Sequence, residues 1–215
     1  MKTIPMTGAI LAGGQHGGEP WAQRALTEID GEAVIDRQIR SMRELCREII
    51  VVTDSPRPLL KALDASIRLI TDYHTERGPL GGIHAALYLS KYEQIWIAAC
   101  NLPDLSAAAA RKLWEHRTPA ARAVIPIVRS QPIALHGIYD KSCAEAVNRQ
   151  LSLNQTSLAG FLGRIEWQGV PADSWLADPA IGDFTRKLSG YAQEGRADTD
   201  SAICHGMSTS VERLR

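Results

Sequence analysis

The chain carries no net charge, because its 24 lysines and arginines are matched by 24 acidic residues. It has no overall positive field to attract nucleic acid or an anionic membrane, which leaves room only for a local basic patch. Cysteine is scarce and scattered. Cys46, Cys100, Cys143 and Cys204 form no C-x-x-C pair, which argues against a metal cluster or a disulfide framework and for buried free thiols in a cytoplasmic protein. No apolar run approaches the roughly 20 residues needed to cross a bilayer. The short apolar run near the start, Ala9-Ile10-Leu11-Ala12, ends in glycines with no cleavage site and is expected to be a strand, not a secretion signal. There is no internal repeat, linker or low-complexity segment before the polar, aperiodic stretch from Gly195.

What is present suits one globular domain. The chain has 215 residues, 45% of them hydrophobic and 22% charged, enough for a sizeable core. A domain over 1–194 and a loosely held tail over 195–215 are expected. Continuous apolar or β-branched runs at Ile49–Thr53, Ile67–Thr71, Gln94–Cys100 and Ala123–Val128 predict buried strands. Ile133–Tyr139 and Ile165–Val170 add two more. Between them, apolar residues three and four apart predict helices from Glu32 to Leu45, at Pro56–Leu63, from Gly78, from an N-cap at Ser106 to His116, at Ser142–Leu151, at Ser157–Leu162 and at Phe184–Ala192. This alternation predicts an α/β fold with a single doubly wound, mostly parallel sheet and helices on both faces. In such sheets ligands sit beyond the carboxyl ends of the strands. Three loops there draw attention: Gly13–Arg24, Asp72–Gly82 and Asn101–Asp104.

The first of these is rich in glycine. Gly13-Gly14 and Gly17-Gly18 follow the first strand directly. Such a loop can present bare N–H groups to a phosphate, or can simply be a flexible turn. It lacks the Gly-Lys-Ser/Thr ending of a P-loop, and its glycines are not spaced as in the dinucleotide fingerprint.

Four segments, in order, resemble the molybdenum cofactor guanylyltransferase (MobA) family of nucleotidyltransferases. They are Leu11-Ala12-Gly13-Gly14, like the family's L-A-G-G; Asp72 followed by Gly78-Pro79-Leu80-Gly81-Gly82-Ile83 and Ala85-Ala86-Leu87; Cys100-Asn101-Leu102-Pro103, where the family has C-D-x-P; and, more weakly, Gln131-Pro132-Ile133-Ala134-Leu135 with Tyr139. The resemblance spans about Ala9 to Tyr139. It implies attack of a pterin phosphate on the α-phosphate of GTP, with pyrophosphate released and Mg²⁺ held by a carboxylate. The partners it implies are GTP and molybdopterin or molybdenum cofactor, with no nucleic acid and no membrane. By the same resemblance Leu11, Ala12, Gly13, Gly14, Arg24, Thr53, Asp72, Gly78 and Asn101 are nucleotide-binding positions. Arg24 and Asn101 are the catalytic ones, with Asn101 also in the place of the metal ligand.

The chain departs from the family where the triphosphate would lie. The family arginine falls on Gly18, its Met-Gly becomes Glu19-Pro20, its lysine becomes Arg24 and the acid before it Gln23. The metal aspartate becomes Asn101, a neutral amide; Asp104 lies three residues on. The family's late N-x-N-T-P-E-D motif is replaced by Thr185–Tyr191. Three readings follow: a nucleotidyltransferase of molybdenum cofactor maturation, a non-catalytic relative that keeps guanine-nucleotide or pterin affinity, and a transferase working on another acceptor such as a sugar phosphate. His84 and His16 read as packing or loop residues. Trp167 and Trp175 read as core or as a pterin-facing wall. Arg111, Lys112 and Arg117 read as a solvated helix face.

Overall fold

The computed structural model describes residues 3–16, 19–72, 77–102, 104–179, 181–182 and 184–188, with His16 described by its backbone alone. Its strands, in chain order, are β1 (Ile4–Leu11), the short β2 (Gln15–His16), β3 (Glu19–Pro20), β4 (Glu28–Ile29) and β5 (Glu32–Ala33), then β6 (Cys46–Thr53), β7 (Arg68–Thr71), β8 (Gln94–Ala99), β9 (Ala123–Val128), β10 (Gln131–Pro132), β11 (His136–Asp140) and β12 (Trp167–Pro171). The helices are α1 (Trp21–Arg24), α2 (Val34–Arg43), α3 (Pro56–Ala62), α4 (Pro79–Leu89), α5 (Ala107–Glu115), α6 (Cys143–Ser152) and α7 (Leu158–Leu162).

One eight-stranded sheet runs in the order β10-β9-β11-β8-β1-β6-β7, with β12 against β9. Its centre, β8-β1-β6-β7, is parallel. β11 runs antiparallel to both β8 and β9, while β12 lies parallel to β9. Period-2 alternation divides the core between the two faces. Met6, Ile10, Trp96 and Ala98 point to the side covered by α2 and α5; Ala9, Leu11, Ile95 and Ile97 point to the side covered by α4, α6 and α7. Each fully buried Ile or Leu contributes about 1.5–3 kcal/mol by leaving water. No helix among the described residues is long and apolar enough to cross a membrane.

The expected elements recur with shifted ends. Ser106 caps α5, its hydroxyl accepting the Ala109 N–H at 3.1 Å, and Ser157 caps α7 in the same way. Asp30 and Gly31, both at positive φ, turn the β4–β5 ribbon. The strand expected from Ile133 starts at His136, because Ile133 and Ala134 lie in the loop that leads to it. The late helix is seen over 184–188; its remainder and the tail lie outside the described residues. Cys46, Cys100 and Cys143 are buried free thiols.

Parallel strands that end at one level make a mouth. Leu11 is level with Val52 of β6 and Ala99 of β8, and Thr53 is level with Thr71 of β7. The segments that follow β1, β6, β7 and β8 therefore leave along one rim. Because β11 is reversed, the segment leading into it joins them: the Leu135 carbonyl accepts the Ala99 N–H at 3.1 Å. All four segments of the sequence resemblance reach this rim.

Candidate active site

The glycine loop is tied closely to its neighbour strands. The Ala12 N–H donates to Val52 O at 2.8 Å, and Leu11 O accepts the Cys100 N–H at 3.0 Å. The Thr53 hydroxyl donates to Ala12 O and accepts from the Ser55 N–H, both at 3.0 Å. Thr53 is fully buried, so it acts on the mouth by holding Ala12. Leu11 and Ala12 are buried as well, whereas Gly13 is half-buried and Gly14 exposed. Gly14 stands at φ +84°, where a side chain would be strained. A Cβ on Gly13 would lie 3.4 Å from the Asp54 amide nitrogen, in ordinary van der Waals contact.

The loop then folds back through the β2–β3 ribbon into α1. The Trp21 N–H donates to Gly14 O at 3.0 Å. Arg24 lies over the Trp21 ring, 5.0 Å from its centroid, with its Nε 3.5 Å from a Glu19 carboxylate oxygen. Both members of that ion pair are about half exposed, so the pair holds Arg24 only weakly. Gly18, where the family arginine falls, lies outside the described residues.

The second loop brings Asp72 and Gly78 to the rim. Asp72 is buried, with its N–H donating to Thr53 O at 3.1 Å. Gly78, at φ +59°, opens α4. The helix then packs onto β1 so tightly that a Cβ on Gly82 would lie 3.3 Å from the Leu11 side chain.

The third loop is held from beneath. Gln38 sits on the apolar stripe of α2, between Val34, Ile35, Ile39 and Met42. Its buried amide donates to Ala99 O at 3.0 Å and to Leu102 O at 2.5 Å. The Cys100 thiol packs at 3.9 Å from Trp21 O, and burial pushes its pKa up to about 12, which makes it no nucleophile. Asn101 is exposed at the tip. Asp104 is engaged elsewhere: Arg37 donates to one carboxylate oxygen at 3.2 Å and Lys187 to the other. The bond from Lys187, aided by both positive charges, holds the Asp104 carboxyl below its ordinary range. Arg37 also pairs with Asp30 at 3.2 Å and Glu32 at 3.6 Å.

These residues do not make a carboxylate site for Mg²⁺. Asn101 offers only a neutral oxygen, Asp104 is engaged by two cations, and no group of three His, Cys, Asp or Glu side chains suited to a metal exists among the described residues. The adjoining segment before β11 is firm. The Tyr139 hydroxyl donates to Ala134 O at 2.6 Å, and His136 is fully buried against Trp96 and Phe184. Burial pushes the His136 pKa down to about 3, so it is a neutral core group.

Residues 8–167 match the MobA-like NTP transferase domain. This chain belongs to that family. A molybdenum cofactor guanylyltransferase of Desulfosudis oleivorans is 30% identical over 180 residues, covering 83% of this chain and 88% of that protein. A probable molybdenum cofactor guanylyltransferase of Bacillus cytotoxicus is 26% identical over 179 residues, covering 81% and 87%. Among solved structures, molybdopterin-guanine dinucleotide biosynthesis protein A of Archaeoglobus fulgidus superimposes with a TM-score of 0.69 at 20% identity, over 89% of this chain and 99% of that one. The 2-C-methyl-D-erythritol 4-phosphate cytidylyltransferase of Thermus thermophilus gives 0.58 at 11% identity, over 88% and 100%; both likenesses speak for the fold.

Among MobA-like residues the structure thus gathers Gly13, Gly14, Arg24, Asp72, Gly78 and Asn101 at the mouth, with Leu11, Ala12 and Thr53 beneath it. Trp167 starts β12 beside Ala123, at the rim opposite the mouth, and Trp175 is buried in the core, so neither is a pterin-facing wall. His84 is half-buried and stacks on Tyr88 on α4. The expected solvated face is partly engaged: Lys112 pairs with Asp178 at 3.0 Å and Arg117 covers the Trp114 ring. Sequence reasoning missed Asp54 and Gln38. A glutamine inside an apolar helical stripe was the available signal for Gln38, because a buried amide must find partners.

Proposed function

We propose that this MobA-like chain transfers the guanylyl group of GTP to molybdopterin. A phosphate oxygen of the pterin forms a new bond to the α-phosphorus. The α–β phosphoanhydride oxygen leaves with pyrophosphate. The observation that carries this reading is the meeting of the glycine loop, Asp72 with Gly78, the Asn101 loop and the Gln131–Leu135 segment on one rim. The family membership and the relatives named as guanylyltransferases support it. In this reading the loop backbone at Gly13 and Gly14, with Asp72, receives the guanine nucleotide, and Arg24 offsets charge on the phosphates. Work of this kind is positioning and charge neutralisation. No step here passes through Mg²⁺, because the donor set does not fit it.

A second reading is a non-catalytic relative that binds guanine nucleotide or pterin in the cytoplasm. The observation that favours it is specific: Asn101 carries no charge, and both carboxylate oxygens of Asp104 are taken by Arg37 and Lys187. Pyrophosphate release from GTP with molybdopterin separates the two. The transferase reading expects release that depends on both substrates; none across a range of Mg²⁺ and Mn²⁺ concentrations, with GTP still bound, supports the second.

A further inference from the structure

The glycine loop already holds an anion of its own. Asp54 is the residue immediately after β6, and its carboxylate reaches across to the turn of the loop. One oxygen accepts the Gly14 N–H at 2.9 Å. The other is buried with no hydrogen-bond partner among the described residues. A carboxylate oxygen buried without a donor costs free energy, so this contact is a poor device for stability. An N–H in a glycine loop after a parallel strand is also the kind of group that receives a phosphate oxygen. The cation left in this loop is treated alike, since Arg24 is paired with Glu19. Two of the chain's own carboxylates therefore occupy groups that an incoming phosphate chain needs.

We infer that Asp54 is a specificity-determining residue of the mouth. Its carboxylate occupies the Gly14 amide and lowers the affinity for the triphosphate of GTP, the substrate proposed above, without abolishing it. The inference rests on the guanine-nucleotide reading above and adds what that reading does not contain, a residue that weighs phosphate charge. A triphosphate has to displace Asp54 or lie beside it, and like charges a few ångströms apart in a partly desolvated site repel strongly. A nucleoside has no such conflict. Loss of the family arginine at Gly18 and gain of Glu19 act in the same direction.

Asp54→Asn separates charge from contact, because the amide oxygen still accepts the Gly14 N–H while the charge is gone. Asp54→Ala removes both. Titration calorimetry of the full chain with GTP and with guanosine, both with excess Mg²⁺, gives the test. The expected result is that Asp54→Asn binds GTP about tenfold more tightly than the unchanged chain, with guanosine affinity unaltered. Asp54→Ala should gain at least as much, so either variant suffices if the other folds poorly. If GTP and guanosine bind the unchanged chain and the ratio of their affinities stays the same in the variants, the inference is overturned and the nucleotide reading stands. If neither ligand binds the unchanged chain or the variants, the nucleotide reading itself fails and takes the inference with it.

Discussion

The loops that follow β1 and β8 lie side by side at the mouth, and by the sequence resemblance each lacks a charge expected there, yet they are held in opposite ways. The glycine loop is held from above, at the surface, by acceptors that a ligand could replace: Asp54 on Gly14 and Glu19 on a half-exposed Arg24. The Asn101 loop is held from below by bonds no ligand reaches, chiefly the buried Gln38 amide on Ala99 O and Leu102 O. Arg37 and Lys187 then take both carboxylate oxygens of Asp104. The difference teaches that the two losses are not equivalent. In the first loop the missing cation leaves groups that can exchange partners, since exposed pairs cost little to break. In the second the missing carboxylate is not replaced by Asp104, three residues on, which already serves two cations.

The largest effect that could break this comparison comes from putting the lost charges back. Asn101→Asp with Gly18→Arg is expected to raise pyrophosphate release from GTP and molybdopterin by about 10²–10³, the usual worth of such an electrostatic group. A fall in an existing activity would mean that the loop works by another arrangement. The next effect is on stability. Gln38→Leu leaves the Leu102 carbonyl without the Gln38 donor, while the Ala99 carbonyl keeps the Leu102 N–H at 3.2 Å, and should cost about 1–2 kcal/mol in urea unfolding, with the Asn101 loop exchanging amide protons faster.

A smaller effect sharpens the account of Asp104. Its folded pKa is depressed, first by the hydrogen bond from Lys187. The stabilisation it gives is therefore present above its unfolded pKa of about 4 and is lost as pH falls through the lower folded value. Asp104→Asn should cost about 1 kcal/mol at neutral pH, after allowance for solvent screening, and less in acid, once the carboxyl is protonated in the folded chain. Equal cost in both conditions would show that packing, not charge, holds the loop. The smallest effect is that of Glu19→Gln, which should change stability by under about 0.5 kcal/mol because both partners of Arg24 and Glu19 are half exposed.

Most of the fold was legible because burial writes itself into sequence. The run Ile49–Thr53 and the segment Gln94–Cys100 are buried on both faces, and such strands need no alternation to be read. The helix over Val34–Arg43 announced itself by its 3–4 spacing, and Ser106 by its place before an alanine-rich run. The reversal of β11 was not legible, because an apolar strand carries no mark of its direction. It follows from the tight turn at Arg129 and Ser130, both at positive φ, which no residue preference signals there. At the mouth, Gly13, Asp72 and Gly78 were legible through resemblance and their positions at strand ends. Asp54 was not, because a polar residue after a strand is ordinary; only the reach of its carboxylate to Gly14 across forty positions of chain makes it notable.

The most direct test of the central claim is amide hydrogen exchange of the chain with and without saturating GTP. The account predicts slower exchange at the rim segments, 11–14, 77–81 and 100–102, with no change at the opposite rim where Thr7, Arg68 and the Lys91 N–H meet Glu48. Protection centred on that opposite rim, or none at the mouth while GTP demonstrably binds, would contradict it.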